Sequence, residues 1–220
     1  MSLELITMLT WHDVTVENAK EIFLSAKDAP GKNWGFKIEG TTPESMHDLA
    51  TTMKKNGKRV YIEVLAIDEE SCVKAAKQCV EAGVDHMLGT IYYESVAKIL
   101  SDANIAYSPW VGLNEETRLT GTIESITEKA IANEKGNVDG CALSAFRYVD
   151  GNPDELLKYL APKLSKPFYI CGSVNTYERM EFLKQIPNLK AFTIGGAFFE
   201  NKFGEGHAEQ ITKICEFLSK

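Results

Sequence analysis

The sequence predicts a single (β/α)8 barrel spanning residues 1–220, and three observations support this fold class. Eight apolar runs bounded by turn residues occur along the chain. Neighbouring runs begin 20 to 33 residues apart, which leaves room for a strand, a helix and two loops. The segments between the runs have helical periodicity. A doubly wound sheet shares this alternation, but eight repeats favour the barrel.

Each predicted strand is a short run of apolar residues that ends at or near a turn signal. In chain order, the runs are LITMLT, WGFKIE, RVYIEVLA, DHMLGTI, IAYSPWVG, VDGCALS, PFYICG and KAFTIGG, with first residues 5, 34, 59, 85, 105, 138, 167 and 190. The order of alternating strands and helices implies a parallel sheet, whose strands are buried on both faces.

Helix starts and ends are marked by capping residues. The predicted starts are Thr42 before Pro43, Asp68 before EESCVKAAKQCVEAG, Asn152 before Pro153, and Asn175 with Glu178 three residues later. Gly57 and Gly83 lie where a helix would end, just before the next strand. These signals place one helix after each of several predicted strands.

Composition narrows the class of protein. A net charge of −7 repels nucleic acid unless the basic groups cluster on one face. No apolar run approaches the length of a membrane span, and the first residues lack a secretion-signal pattern. The five cysteines are scattered without CxxC spacing, which is typical of reduced thiols rather than disulfides or zinc ligands. We therefore expect a soluble cytoplasmic protein, and its apolar helix faces are compatible with a homodimer.

Lys37, Glu39 and Glu63 lie within the second and third predicted strands, where burial of a charge is costly. Alternation along the second strand puts Lys37 and Glu39 on the face opposite Trp34 and Phe36, and the same parity turns Glu63 of the third strand inward. A lysine and two carboxylates could transfer protons, form a Schiff base or hold Mg²⁺ at Glu39 and Glu63. The alternative is a buried ion pair between Lys37 and Glu63 without chemistry.

Further candidates lie where strands end, because active sites of such barrels lie at the carboxyl ends of the strands. His12 and Asp13 follow the first strand, although Asp13 could equally cap the next helix. The candidate ligand contacts are Thr90, Trp110, Ser144 and Arg147. His86 begins the fourth strand and is predicted to be structural, whereas His47 and His207 are predicted to lie on the surface.

Small residues follow the last two strands. Gly172 and Ser173 end the seventh strand, and Gly195, Gly196 and Ala197 end the eighth. These strands are neighbours in a barrel, so the two turns would meet and let backbone N–H groups approach a phosphate. The alternative is two ordinary tight turns.

The segment YICGSVNTYERMEFLKQIPNLKAFTIGGAFFENKF resembles the closing segment of the ribulose-phosphate-binding barrels. The resemblance is strong over roughly the last 55 residues. It implies phosphate contacts from the five small residues of the two turns. KIEGTTP and AGVDHMLGTIYYESVAKIL resemble the decarboxylases of that superfamily, but YIEVLAIDEES replaces their Asp-x-Lys-x-x-Asp motif. KKNGKRVYIEVLAID also resembles glycerol-3-phosphate-responsive antiterminators, which bind RNA.

Together these features predict an enzyme acting on a small phosphorylated sugar or keto-acid, as a lyase or isomerase. Lys37, Glu39, Glu63 and His12 are the predicted catalytic residues. No cofactor is required by the sequence, and Mg²⁺ is the metal that the two glutamates could hold. The alternative function is a non-catalytic sensor of a phosphorylated metabolite.

Overall fold

The computed structural model describes residues 2–114, 116 and 118–220. Its eight parallel strands, in the described part of the chain, form a nearly closed barrel. They are β1 Glu4–Met8, β2 Asn33–Lys37, β3 Arg59–Val64, β4 His86–Gly89, β5 Ala106–Ser108, β6 Cys141–Leu143, β7 Phe168–Ile170 and β8 Leu189–Ile194. Their order in the sheet is β5-β4-β3-β2-β1-β8-β7-β6. A parallel bridge between Trp110 and Ala142 joins the two edges, so the predicted fold class is confirmed.

The helices lie in the predicted intervals. They are α1 Ala19–Ala26, α2 Pro43–Lys55, α3 Glu69–Ala82, α4 Glu94–Asp102, α5 Ile123–Asn133, α6 Pro153–Leu160, α7 Tyr177–Lys184, α8 Gly196–Phe199 and α9 Gly206–Leu218. Short 3-10 turns cover Ala145–Arg147 and Ala161–Lys163. No helix of the described residues is both long and apolar enough to cross a membrane.

Three of the four predicted helix starts are the observed N-caps. The side chains of Thr42, Asp68 and Asn152 each accept a backbone N–H bond from the first turn of their helix. The fourth prediction was wrong by one residue, because Thr176 caps α7. Asn175 instead accepts a hydrogen bond from the Arg179 side chain, at 3.0 Å.

Two hydrophobic layers lie on opposite faces of the sheet, as alternation along the strands requires. Trp34, Phe36 and the outward residues of the other strands pack against the helices. The barrel interior is filled by Ile6, Met8, Tyr61, Leu88, Trp110, Ala142, Tyr169, Cys171 and Ala191. This interior is a packed core, and it closes the floor beneath the carboxyl end of the barrel.

A small hairpin follows β1 and is the main departure from the simple repeat. Thr10–Trp11 pairs antiparallel with Val14–Thr15, and the two turn residues, His12 and Asp13, have φ values of 50° and 62°. Left-handed values at both positions are those of a type I′ hairpin turn. Asp13 therefore does not cap α1, whose N-cap is Asn18.

Candidate active site

A cavity of about 310 Å³ lies at the carboxyl end of the barrel. It is bounded by the hairpin after β1, the ends of β2 and β3, the loop after β6 and the turns after β7 and β8. This volume is at the lower end of the range for small-molecule sites. The cavity brings the predicted phosphate turns together with Lys37 and Glu63 of the predicted cluster.

Lys37 lies at the base of this cavity, with its side chain only 3% exposed. Its Nζ donates to Asp13 Oδ1 at 2.9 Å and lies 3.4 Å from Glu63 Oε1. Burial lowers the pKa of Lys37, but the charge of Glu63 and the contact with Asp13 outweigh burial and raise the pKa overall. Lys37 is therefore an ammonium ion at neutral pH.

Asp13 joins this lysine to a second cation. Arg147, at the end of the 3-10 turn after β6, donates from Nη1 to Asp13 Oδ2 at 3.3 Å and from Nη2 to Oδ1 at 3.2 Å. Partial burial raises the pKa of Asp13, but the bonds from Lys37 and Arg147 lower it overall. Glu63, Lys37, Asp13 and Arg147 thus form a chain of alternating charge across the mouth of the barrel.

Thr15 fixes the hairpin that carries Asp13. Its hydroxyl donates to the Lys37 carbonyl oxygen and accepts from the Lys37 N–H, each at 2.8 Å. The Thr15 N–H donates to the Glu39 carbonyl oxygen at 2.8 Å. The hairpin and the end of β2 are therefore locked together, although the sequence singles out neither Thr15 nor the hairpin.

Glu39 lies just beyond β2 and is half-buried, outside the residues that line the cavity. Its Oε2 is buried with no hydrogen-bond partner among the described residues. Burial raises its pKa, as do the charges of Glu63 and Asp13. A hydrogen bond from its own backbone and the charge of Lys37 lower the pKa and only partly offset this. The pKa of the Glu39 carboxyl therefore lies above its usual value.

The residues offer Mg²⁺ a limited donor set. Within residues 2–114, 116 and 118–220, no three His, Cys, Asp or Glu side chains are grouped to hold a metal ion. Of the two predicted ligands, Glu63 already lies against the Lys37 ammonium. Binding of Mg²⁺ at Glu39 and Glu63 stays a prediction.

The two turns of small residues lie side by side at the opposite edge of the cavity. Gly172 and Ser173 have left-handed φ values of 81° and 61°, and the Gly172 N–H donates to Thr193 Oγ1 at 2.9 Å. A Cβ on Gly195 would lie 2.5 Å from Thr10 Oγ1, so only glycine fits beneath the hairpin. A Cβ on Gly196 would meet nothing nearer than Trp11 Cδ1 at 3.8 Å.

The other predicted ligand contacts divide into two pairs. Ser144 and Arg147 line the cavity. Thr90 and Trp110 lie outside it, so the structure does not bring these two predicted contacts to the cavity. The Thr90 hydroxyl is fully buried against the Tyr107 hydroxyl at 2.7 Å, and the Trp110 indole N–H donates to the Val64 carbonyl oxygen at 2.8 Å within the barrel core.

The four histidines lie in different environments. His12 is exposed on the hairpin, lines the cavity and stacks on Trp11 with ring centroids 4.7 Å apart. His86 is buried in the barrel interior, and His47 is exposed as predicted. His207 was predicted to be a surface residue, but it is half-buried against Phe198 and Phe199, because α9 packs against α8.

A larger cavity of about 770 Å³ lies at the amino ends of the strands. Its charged side chains have local structural partners. Lys54 pairs with Asp85 at 2.9 Å, Lys58 donates to the Gly31 carbonyl oxygen at 2.8 Å, and Asp139 accepts the Tyr107 N–H at 2.9 Å. Such contacts at this end of a barrel are typical of stability rather than catalysis.

Comparison with solved structures finds proteins of the same architecture. Orotidine 5′-monophosphate decarboxylase from Methanocaldococcus jannaschii, complexed with the inhibitor BMP, matches with a TM-score of 0.71 and 16% identity over 100% of both chains. The chain shares its (β/α)8-barrel fold. The N-acetylmannosamine-6-phosphate 2-epimerase of Clostridium perfringens matches with a TM-score of 0.63 and 12% identity, over 88% of this chain and 86% of that one.

A third match is a glycerol uptake operon antiterminator-related protein from Thermotoga maritima, with a TM-score of 0.54 and 17% identity over 90% of this chain and 97% of that one. No protein-family model matches the sequence, and no curated protein matches it. The predicted resemblance to phosphate-binding barrels is thus confirmed for the fold. Identities this low do not extend it to a reaction.

Proposed function

We propose that the protein is an enzyme that acts on a small phosphorylated sugar or keto-acid, as a lyase or isomerase. The observation that carries the proposal is that one cavity of about 310 Å³ joins the small-residue turns after β7 and β8 to the buried Lys37 cluster. The turns would hold the phosphate. Binding energy from this remote group would then position the reacting end against Lys37.

The charge state of Lys37 favours one kind of chemistry. An ammonium beside two carboxylates can stabilise negative charge that develops on a substrate oxygen or carbon, and can return a proton to it. Asp13, Glu63 and His12 lie at the same cavity and are the candidate proton acceptors. Lyase and isomerase reactions of phosphorylated sugars and keto-acids that pass through an enolate need a cation that stabilises the developing negative charge. They also need a group that accepts a proton.

The same charge state disfavours Schiff-base chemistry, which requires a neutral amine. We expect borohydride added with candidate keto-acid phosphates at pH 7 to leave Lys37 unmodified, as read by peptide mass spectrometry. Reductive labelling of Lys37 would contradict the proposed role and would favour an aldolase with a covalent intermediate.

The decisive experiment is a thermal-shift screen of sugar phosphates and keto-acid phosphates, with and without Mg²⁺, followed by product analysis of each hit. Gly196→Ala is a useful variant because the added Cβ fits the described structure while narrowing the turn. We expect it to weaken binding of a phosphorylated hit without lowering the melting temperature of the free protein. Equal shifts by hits and their dephosphorylated forms would contradict a phosphate site.

A non-catalytic sensor is the second candidate, because the antiterminator-related protein has the same fold. Under both hypotheses a phosphorylated ligand stabilises the protein, but only an enzyme consumes it. A ligand that binds and is recovered unchanged, from wild-type protein and from Lys37→Met alike, would favour the sensor.

A further inference from the structure

Arg147 lies between the two halves of the candidate site. Its guanidinium lies beside the turn after β7, since a Cβ on Gly172 would be 3.5 Å from Nη2. Both Nη atoms also contact the Asp13 carboxylate. The cation near the predicted phosphate position is therefore already paired with an anion from the chain itself.

Asp13 is suited to be a temporary partner. Its side chain is 48% exposed and it sits in the turn of the hairpin, whereas Lys37 and Glu63 are buried. Both turn residues, His12 and Asp13, lie in the left-handed region, as a type I′ hairpin turn requires. The carboxylate could move away from Arg147 without disturbing the barrel core.

A phosphate bound at the small-residue turns would compete directly with this carboxylate. Arginine binds phosphate with two parallel hydrogen bonds, and a dianion attracts it more strongly than a half-exposed carboxylate does. Lys37 would keep Glu63 as a counter-ion when Asp13 withdraws, so the cluster would not be left with an unpaired buried ammonium.

We propose that Asp13 is a removable internal counter-ion: it occupies Arg147 in the free protein, and the phosphate of the ligand takes its place. This rests on the proposed function, because it assumes an anion at the turns after β7 and β8. It adds that Arg147 is part of that anion site and that competition from Asp13 lowers the affinity of the site for phosphate.

The test measures the affinity for inorganic phosphate by ³¹P NMR titration. Removing the competitor in Asp13→Asn should tighten binding by roughly tenfold, and removing the cation in Arg147→Met should weaken it by a similar factor. In the double variant Asp13→Asn/Arg147→Met, the gain in phosphate affinity from Asp13→Asn should disappear, because no guanidinium remains for Asp13 to compete for.

Glu200→Gln is the matched control, since Glu200 also lines the cavity and pairs with Lys202 at 3.5 Å. It removes one negative charge without touching Arg147. Equal tightening by Asp13→Asn and Glu200→Gln would show a general charge effect and would overturn the proposal. A gain from Asp13→Asn that persists in the Arg147→Met background would overturn it too, by pointing to Lys37 as the released cation.

Failure of the proposed function would look different. Phosphate binding that Gly196→Ala weakens but that Asp13 and Arg147 variants leave unchanged would overturn only the role of Asp13. No phosphate binding by any variant, with all of them folded by circular dichroism, would overturn the phosphate site and the counter-ion exchange together.

Discussion

At the scale of single residues, Lys37 links the stability of the barrel mouth to the chemistry proposed for it. Its side chain is buried between the half-exposed carboxylate of Asp13 and the buried carboxylate of Glu63. Removing one member of a buried ion pair leaves the other charge buried without a counter-ion. This destabilises the protein more than replacing both members by apolar residues. The structural role of Lys37 can therefore be tested apart from its proposed catalytic role.

We expect Lys37→Met to lower the free energy of unfolding by about 3 kcal/mol, because Glu63 is left without its counter-ion. Lys37→Met/Glu63→Leu should recover most of this loss, as measured by urea denaturation at pH 7. Turnover of an identified substrate should fall by about 10²-fold or more in both variants. A double variant that regained stability and activity together would show that the cluster is only an ion pair.

Gly195 lies where the hairpin residue Thr10 leaves no room for a side chain. We expect Gly195→Ala to destabilise the protein by about 1–3 kcal/mol, since the new Cβ would lie 2.7 Å from the Thr10 carbonyl oxygen. Gly196→Ala, at the next position and without such a contact, is the control. Equal melting temperatures for the two variants would mean that the hairpin can shift to make room.

At the scale of elements, the hairpin Thr10–Thr15 forms one wall of the cavity. It follows β1 directly, carries Asp13 to Lys37 and Arg147, and is held to the end of β2 by Thr15. Trp11 of the hairpin also stacks on Phe199 of α8, with centroids 5.8 Å apart. The hairpin thereby contacts both the charged cluster and the helix after β8.

Thr15→Val tests the attachment of this hairpin. The substitution keeps the side-chain shape but leaves the buried Lys37 N–H without an acceptor, which should cost about 1–3 kcal/mol. Amide exchange at Lys37 should accelerate, whereas Thr15→Ser should stay close to wild type. Unchanged exchange at Lys37 in Thr15→Val would show that the hairpin is held by other contacts.

At the scale of the whole molecule, the interior of the barrel makes stability depend on pH. His86 is buried against Tyr61 and Tyr169, and its Nε2 lies 2.9 Å from Ser108 Oγ. Burial lowers the pKa of His86 to about 3. In the unfolded chain His86 therefore binds a proton near pH 6.5, whereas in the folded protein it stays neutral at that pH.

It follows that stability contributed by neutral His86 is present above about pH 6.5 and is lost as the pH falls from there towards 3. The expected loss is about 2 kcal/mol between pH 6.5 and pH 5. His86→Gln should lack this part of the slope in urea denaturation, and His47→Gln, at an exposed site, should retain it. Parallel slopes for wild type and His86→Gln would contradict the assignment.

The fold could be predicted from the sequence because its signals are local. Apolar runs, helix periodicity and the caps at Thr42, Asp68 and Asn152 each involve a few neighbouring residues. Strand parity likewise places Lys37 and Glu63 on the side of the cavity. Thr90 and Trp110 lie outside the cavity, because position at the end of a strand does not say which way a side chain points once the backbone leaves the strand.

The sequence by itself determined the eightfold repeat, the positions of the glycine turns and the presence of charged residues in two neighbouring strands. Only the tertiary structure decided that Asp13 lies in a hairpin rather than a helix cap, and that it meets Lys37 and Arg147. The contact with Arg147 spans 134 residues of chain. Closure of the barrel creates such contacts, and no short-range pattern records them.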